Sequence, residues 1–303
     1  DLYDRYIGQK YNLKETTKSN YIYTYDHFVR DGFGKMKIGD IHFTDVKKFY
    51  YELIEQKKVK ANTLDNINTQ IHPALQMAVR DEILKKNPSE GVMTEIRRGR
   101  YWEKPKRHAL TIPQQKAFME FIQNSNEFKG WVPVIIVLLG TGMRIGEVRA
   151  LTIADIDLDN NIIHVNKTYS MNNGHTAVIT APKTPKGIRD ILIPDFLCEL
   201  LKGHMERYYK PTPDTRVFPS AKTVYFGSFK EHIKLSGVKD IRLHDLRHSH
   251  ASLLIDLGFP VLLISERLGH EDPSITLKTY SHLFPSKQEE LVAKLEQLFK
   301  ETK

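Results

Sequence analysis

The stretch LHDLRHSHASLLIDLG, residues 243–258, places a group of cationic and titratable side chains at the head of a predicted helix. Its second half is rich in leucine, isoleucine and alanine, which is typical of a helix that packs into a core. Its first half instead carries five titratable side chains, His244, Asp245, Arg247, His248 and His250. A purely structural helix has no need of such a group, so we interpret the stretch as the centre of a binding or catalytic site.

Two kinds of ligand fit the spacing of these residues. His244 and His248 stand four apart, so both imidazoles lie on one helical face and could bind a metal. His244 and Arg247 stand three apart, also on one face, and could bind an anion. A metal would lie against the Arg247 cation, and Asp245 stands where the HExxH pattern of metalloproteases has glutamate. An anion accounts for all the positive groups, so the stretch indicates a phosphate site.

The composition is that of a folded protein with a surplus of positive charge. The chain has 303 residues, 40% of them hydrophobic and 27% charged, which is enough for two domains with sizeable cores. Its one cysteine, Cys198, excludes a disulfide framework and cysteine-rich zinc modules. No apolar run reaches the roughly 18 residues of a membrane span, so we expect a cytoplasmic protein. The net charge of +8 is compatible with nucleic-acid binding.

More than half of that surplus lies in one short stretch, residues 97–108, where six basic residues face Glu103 alone for a net charge of +5. One interpretation is a solvated linker. The other, which we favour, is a strap that lies along a phosphate backbone, with Tyr101 and Trp102 packed on sugars. The predicted DNA-binding residues are Arg97, Arg98, Arg100, Lys104, Lys106 and Arg107.

The same stretch predicts a domain boundary. Residues 1–96 contain four or five segments with helical periodicity and nothing that resembles a catalytic set, which predicts a small bundle. Residues 97–108 then form an interdomain linker, and residues 109–285 form a second domain that is mainly helical with one small antiparallel sheet. The strands of that sheet are predicted at 162–165, 176–181 and 188–194.

Several other polar residues of the second domain stand at positions where a purely structural role would be unusual. Arg144 and Glu147 stand in TGMRIGE at the start of a buried helix, and Lys183 stands in the turn PKTPKG. His270 ends the motif LGH, and Tyr280 follows ten residues later. Taken singly, Arg144 could simply pair with Glu147, Lys183 could be a solvated hairpin residue, and Tyr280 could be a packing residue.

Taken together, TGMRIGE, the strand lysine, HDLRHSHA, LGH and the tyrosine resemble the tyrosine recombinases of the phage integrase family in order and spacing. The resemblance covers both domains and is greatest to integrases of phages and integrative conjugative elements. It implies a mainly α fold with a small antiparallel sheet. A SAM-like core-binding bundle and a mixed α/β catalytic domain would together form a C-shaped clamp on DNA.

The resemblance implies a phosphate-binding role for four residues. Arg144 and Arg247 would clamp the scissile phosphate, since two guanidiniums can meet its oxygens bidentately without a metal. His270 would hydrogen-bond the same phosphate, and Glu147 would brace the site. We therefore expect neither a metal nor a cofactor.

The resemblance also implies the groups that move protons and form the covalent bond. Tyr280 would attack the phosphate and form a 3′-phosphotyrosyl bond, with His244 as the acid or base for the phenol proton. Lys183 would protonate the leaving 5′-oxygen, and Lys186 in the same turn is a rival for that role. His248 and His250 match no essential position, so we interpret them as a helix-face contact and a partly buried neighbour.

These residues predict a site-specific recombinase that integrates or excises a mobile element. We expect it to act in the bacterial cytoplasm, associated with the nucleoid, on double-stranded DNA with specific recombination sites. We also expect a homotetramer, with accessory DNA-bending or excision factors as partners. The alternatives are an inactive DNA-binding protein of the same fold, a type IB topoisomerase and, more distantly, a metallohydrolase.

The last residues of the chain are relevant to how protomers assemble. Residues 286–303 open with a capping box, Ser286 and Glu289, and carry apolar residues along one helical face. This helix could pack on its own domain or on a neighbouring protomer, and we favour exchange between protomers. Many related integrases carry a further N-terminal arm-binding domain, and whether one precedes Asp1 stays open.

Overall fold

The computed structural model describes residues 2–99, 102, 109–124, 132–172, 176–182, 184–219, 222–283, 292–293 and 295–296. The chain divides into two compact units, Asp1–Lys106 with Met171–Ala177, and Arg107–Ser170 with Val178–Lys303. The described elements are mostly helices with small antiparallel sheets, which confirms the predicted fold class. None of the helices in these ranges is both long and apolar enough to cross a membrane.

The first unit is a helical bundle whose core follows the predicted apolar periodicity. Tyr50 and Leu53 on one helix and Leu64 and Ile67 on the next are fully buried, because residues three or four apart share a helical face. The helices are α1 (Leu2–Gly8), α2 (Glu15–Tyr25), α3 (Phe43–Glu55), α4 (Ala61–Arg80) and α5 (Val92–Arg98).

The second unit packs its helices around α7, in which eight of ten residues are buried. Such an all-round apolar helix belongs at the centre of a core. The helices of this unit are α6 (Ile112–Asn124), α7 (Val132–Thr141), α8 (Ile145–Ala150), α9 (Asp195–Met205), α10 (Lys222–Ser236), α11 (Asp245–Asp256), α12 (Val261–Leu268) and α13 (Pro273–Tyr280).

The strands form two sheets rather than the single sheet predicted. The order of the three-stranded sheet is β1-β2-β5, with both pairs antiparallel, whereas β3 pairs with β4 separately. The prediction was wrong because strand periodicity does not reveal which strands pair. In the larger sheet, Ile163 faces Ile191 and both side chains are buried in the core. The strands are β1 (Ile156–Asp157), β2 (Ile162–Val165), β3 (Thr168–Asn172), β4 (Thr176–Thr180) and β5 (Arg189–Leu192).

Two glycines with positive φ bring backbone segments together where the site lies. At Gly142, φ is +68°, and a Cβ atom would lie 2.6 Å from the His250 ring. At Gly269, φ is +65°, and a Cβ atom would lie 2.9 Å from both the Arg189 Nη1 and the Lys186 carbonyl oxygen. Glycine permits both the left-handed backbone and the close approach. The loop before α8, the end of α12 and the turn before β5 are therefore adjacent.

Candidate active site

Arg144 is held at the start of α8 by Glu147. The Arg144 backbone N–H donates to the Glu147 Oε2 at 2.9 Å, and the Arg144 Nη1 donates to the Oε1 at 2.6 Å. The Arg144 Nη2 also donates to the Gly269 carbonyl at 3.4 Å. The Glu147 side chain is 3% exposed, but the Arg144 side chain is 40% exposed. The expected pairing with Glu147 therefore fixes the base of Arg144 while its guanidinium stays accessible to a ligand.

Arg247 lies in the first turn of α11 and is almost fully buried. Its Nη1 donates to the Gly142 carbonyl at 2.8 Å and its Nη2 donates to the Leu268 carbonyl at 2.7 Å. Burial and the like charge of Arg144 lower the pKa of the Arg247 guanidinium to about 9. The group is still protonated at neutral pH, so the site contains a second positive charge in a region of low dielectric.

Arg189, on β5, is a third arginine of this site that the sequence analysis did not single out. Its Nη2 donates to the Glu147 Oε2 at 3.0 Å and its Nη1 approaches the Oε1 at 3.4 Å. Its Nε donates to the Arg267 carbonyl at 2.8 Å, and the side chain is 6% exposed. Burial alone would raise the pKa of the Glu147 carboxyl, but Arg189 and Arg144 hold that pKa below its usual value.

The C-terminal end of α12 organises all three arginines. Three consecutive carbonyls there each accept a hydrogen bond from a different guanidinium: Arg267 from Arg189, Leu268 from Arg247, and Gly269 from Arg144. The last carbonyls of a helix lack partners within the helix and carry partial negative charge, which favours cations. One helix end therefore sets the positions of three positive charges.

His270 follows directly after this helix end. Its Nδ1 lies 2.7 Å from the Thr276 Oγ1. Burial, together with the positive charges of Arg247 and Arg144, lowers the pKa of the His270 imidazole to about 4. The imidazole is therefore neutral at neutral pH and can form hydrogen bonds without adding charge.

Tyr280 is the last residue of α13, and its hydroxyl meets His248 of α11. The Tyr280 Oη lies 2.5 Å from the His248 Nδ1, and the Tyr280 residue is 3% exposed. The sequence interpretation of His248 as a helix-face contact missed this bond. One signal was present, because His248 stands four residues after His244 and so lies on the same face of α11.

His244 is exposed at the head of α11, beside His248. The two rings are 5.3 Å apart between centroids and meet edge to face. Partial desolvation and the charge of Arg247 lower the pKa of the His244 imidazole. The neighbouring Asp245 carboxylate is buried and accepts hydrogen bonds from the Arg242 backbone and guanidinium. His244, His248 and Tyr280 therefore form a second group of side chains next to the arginines.

Of the two candidate lysines, Lys183 lies outside the described residues. Lys186 is exposed in a short 3₁₀ turn, Pro185–Gly187, whose backbone lies against Gly269. The turn that carries Lys186 is thus next to the arginine group.

The basic stretch is described only in part. The Arg97 guanidinium pairs with Asp65 at 2.6 Å and lies 5.7 Å from the Trp102 ring centroid, and Arg98 is exposed at the end of α5. Trp102 packs against the core of the first unit. The predicted DNA contacts of Arg97 and Arg98 stay predictions, and the others, Arg100, Lys104, Lys106 and Arg107, lie outside the described residues.

Comparison with known proteins identifies the family to which this chain belongs. A model described as the phage integrase family matches residues 108–287. The chain therefore belongs to the phage integrase family of enzymes, which cleave and rejoin DNA. It is 32% identical to the ICEBs1 integrase of Bacillus subtilis strain 168 over 310 residues, covering 96% of this chain and 79% of that relative.

Solved structures show the same fold. The Tn1549 transposon integrase in complex with a circular intermediate DNA superposes with a TM-score of 0.84 at 22% identity, covering 98% of both chains. The lambda integrase tetramer bound to a Holliday junction gives a TM-score of 0.64 at 18% identity, covering 90% of this chain and 77% of that one. At these identities the likeness concerns the fold.

Proposed function

We propose that this protein is a site-specific DNA recombinase that integrates or excises a mobile element through a 3′-phosphotyrosyl intermediate. The observation that carries the proposal is the arrangement of Arg144, Arg247 and Tyr280. An accessible and a buried guanidinium share one helix end, and the tyrosine hydroxyl is hydrogen-bonded to a histidine on the same helix as the buried arginine. Direct displacement at a phosphodiester needs these parts: charge stabilisation, a nucleophile and a proton acceptor.

The arginines would bind the scissile phosphate. The Arg144 guanidinium is 40% exposed and can donate to a non-bridging oxygen without releasing Glu147. Arg247 would supply charge from its buried position, where a cation acts more strongly than it does in water. The neutral His270 imidazole would add a hydrogen bond to the same group.

The Tyr280 oxygen would attack the phosphorus, so that a phenolic O–P bond forms and the P–O5′ bond breaks. The phenol proton would pass to the His248 Nδ1, which lies 2.5 Å from the Tyr280 Oη, rather than to His244, the acceptor expected from the sequence. His244 would relay the proton to solvent. Lys183, or Lys186 in the same turn, would protonate the leaving 5′-oxygen. In the rejoining step a 5′-hydroxyl attacks the phosphotyrosine and Tyr280 leaves.

The proposed assembly is supported by one structural neighbour and by the last residues of the chain. Since lambda integrase forms a tetramer on a Holliday junction, we propose that this chain also acts as a tetramer on specific duplex sites, with both units on DNA, in the bacterial nucleoid. We propose that residues 286–303 dock on a neighbouring protomer. Val292 and Leu295, described residues of this segment, are 52% and 44% exposed, which leaves apolar surface for another chain. Accessory DNA-bending or excision factors stay a prediction.

A suicide duplex with a nick near the crossover tests the chemistry. The protein and its Tyr280→Phe variant are each mixed with the duplex and run on a denaturing gel. We expect a covalent protein–DNA band with the parent protein and none with Tyr280→Phe. Tight DNA binding without any covalent band on a set of element-end sequences would favour an inactive binding protein. A band with Tyr280→Phe would show that another residue is the nucleophile.

A further inference from the structure

Glu147 raises an electrostatic problem for the proposed site. A carboxylate bonded to Arg144 cancels much of that arginine's positive charge and adds a negative charge close to where a phosphate would bind. Since Arg144 and the Glu147 carboxylate are 2.6 Å apart, the pair alone offers a phosphate little net attraction.

We propose that Arg189 is a positioning residue for DNA cleavage, which neutralises Glu147 so that the Arg144 charge is directed at the scissile phosphate. The inference rests on the proposed function. Arg189 approaches both carboxylate oxygens of Glu147, the Oε2 at 3.0 Å and the Oε1 at 3.4 Å. The carboxylate is thus shared between two guanidiniums, and the group of Arg144, Glu147 and Arg189 keeps one net positive charge.

The surroundings of Arg189 suit this role better than direct phosphate binding. The side chain is 6% exposed, and every guanidinium nitrogen has a protein acceptor. The Nε donates to the Arg267 carbonyl at 2.8 Å and the Nη1 donates to the Gly187 carbonyl at 3.1 Å. Arg189 therefore acts through Glu147 and not by touching DNA.

The same contacts allow a second explanation. Arg189 could serve only as a structural tie between the turn at Gly187 and the end of α12. A tie of that kind works through the two carbonyls and does not depend on the charge of Glu147. The two explanations therefore differ in what happens when Glu147 loses its charge.

A double-mutant cycle separates them. The rate of covalent complex formation on the suicide duplex is measured for the parent, Arg189→Gln, Glu147→Gln and the double variant, all at a temperature where each is folded. DNA affinity and the thermal midpoint are measured in parallel. We expect Arg189→Gln to slow cleavage by roughly 10- to 100-fold, somewhat less than removal of a direct oxyanion donor. In the background of Glu147→Gln, the same Arg189 substitution should cost less than about threefold.

Two further variants sharpen the result. Arg189→Lys keeps the charge and should retain more activity than Arg189→Gln, although an ammonium cannot reproduce the forked contact. Asp190→Asn changes a charge on the exposed face of the same strand, where Asp190 pairs with His164, and should cleave at the parental rate.

Each outcome is decisive. An equal loss from Arg189→Gln in both backgrounds would overturn the charge-balancing role and support a structural tie. Parental cleavage by Arg189→Gln would overturn any role. If the parent forms no covalent complex on a set of element-end duplexes, the proposed function fails and this inference fails with it.

Discussion

The proposed site has two parts that are held in place by different kinds of contact. The phosphate half consists of Arg144, Arg189 and Arg247, and the tyrosine half consists of Tyr280 and His248. Three arginines are fixed by consecutive backbone carbonyls at the end of α12, two of them with a buried carboxylate between them. Tyr280 is instead joined to α11 by a hydrogen bond between two side chains. Backbone acceptors move only when their helix moves, whereas a side chain can rotate. We therefore expect the arginine group to be preorganised, and Tyr280 to be the part of the proposed site that DNA binding adjusts.

The largest effect should come from weakening the phosphate half. Arg247→Lys keeps the charge but cannot donate to the Gly142 and Leu268 carbonyls in a fixed fork. We expect covalent complex formation to fall by roughly 10²- to 10³-fold, with DNA affinity little changed. Arg207→Lys, on an exposed position after α9, is the matched control. A loss below about threefold would mean that the geometry of Arg247 contributes little to the reaction.

The tyrosine half should be sensitive to His248 more than to His244. His248→Ala removes the acceptor of the Tyr280 proton, so we expect cleavage to slow by about 100-fold, with partial recovery when imidazole is added. A larger loss from His244→Ala than from His248→Ala would return the proton-acceptor role to His244.

The contact at the end of α12 can be tested with two glycines that share a positive φ. A Cβ atom at Gly269 would meet Arg189 and the Lys186 carbonyl, whereas a Cβ atom at Gly258 has nothing within 4 Å. Gly258→Ala should cost about 1 kcal/mol of stability from backbone strain. Gly269→Ala should cost roughly 1–3 kcal/mol more from overpacking and should also slow cleavage. Thermal denaturation compares the two, and equal losses would show that the predicted clash is relieved.

The smallest effect is on stability as a function of pH. His250 is buried between the Leu139 carbonyl and the Arg267 Nε, and burial together with the Arg267 charge lowers the pKa of its imidazole to about 3. Below pH 6.5 the unfolded chain takes up a proton at this histidine that the folded chain does not. The stability that it contributes is complete above pH 6.5 and is lost as the pH falls toward the folded pKa.

That loss should reach about 1.6 kcal/mol between pH 6.5 and pH 5.0. His250→Gln keeps a donor and an acceptor at this position and should reduce the pH dependence of unfolding by that amount. Urea denaturation at the two pH values measures it. A variant with the same pH dependence as the parent would show that other groups control the acid sensitivity.

Much of the helical framework could be predicted because its signals are local. Apolar residues three or four apart identified α3 and α4, and TGMRIGE and HDLRHSHA located Arg144 and Arg247. The carbonyl partners of these arginines could not be predicted, since backbone carbonyls leave no trace in a sequence. The three carbonyls of residues 267–269 belong to leucine, glycine and arginine, which carry no motif for that role.

Arg189 and His248 were missed for a related reason. Strand periodicity gives the face on which Arg189 lies but not that β5 pairs with β2 and approaches α8. The bond between His248 and Tyr280 joins residues 32 positions apart, and the spacing of His248 from His244 gives only the helical face on which His248 lies and not its partner. The pairing of strands and the packing of helices decided both contacts.

A crystal structure of Tyr280→Phe bound to an uncleaved recombination site tests the central claim most directly. We predict that Arg144 and Arg247 contact the non-bridging oxygens of one phosphate while keeping their bonds to the Gly269 and Leu268 carbonyls. Arg189 should remain on Glu147 and away from DNA. A phosphate bound elsewhere in the unit, or arginines that leave the end of α12 when DNA binds, would contradict the account.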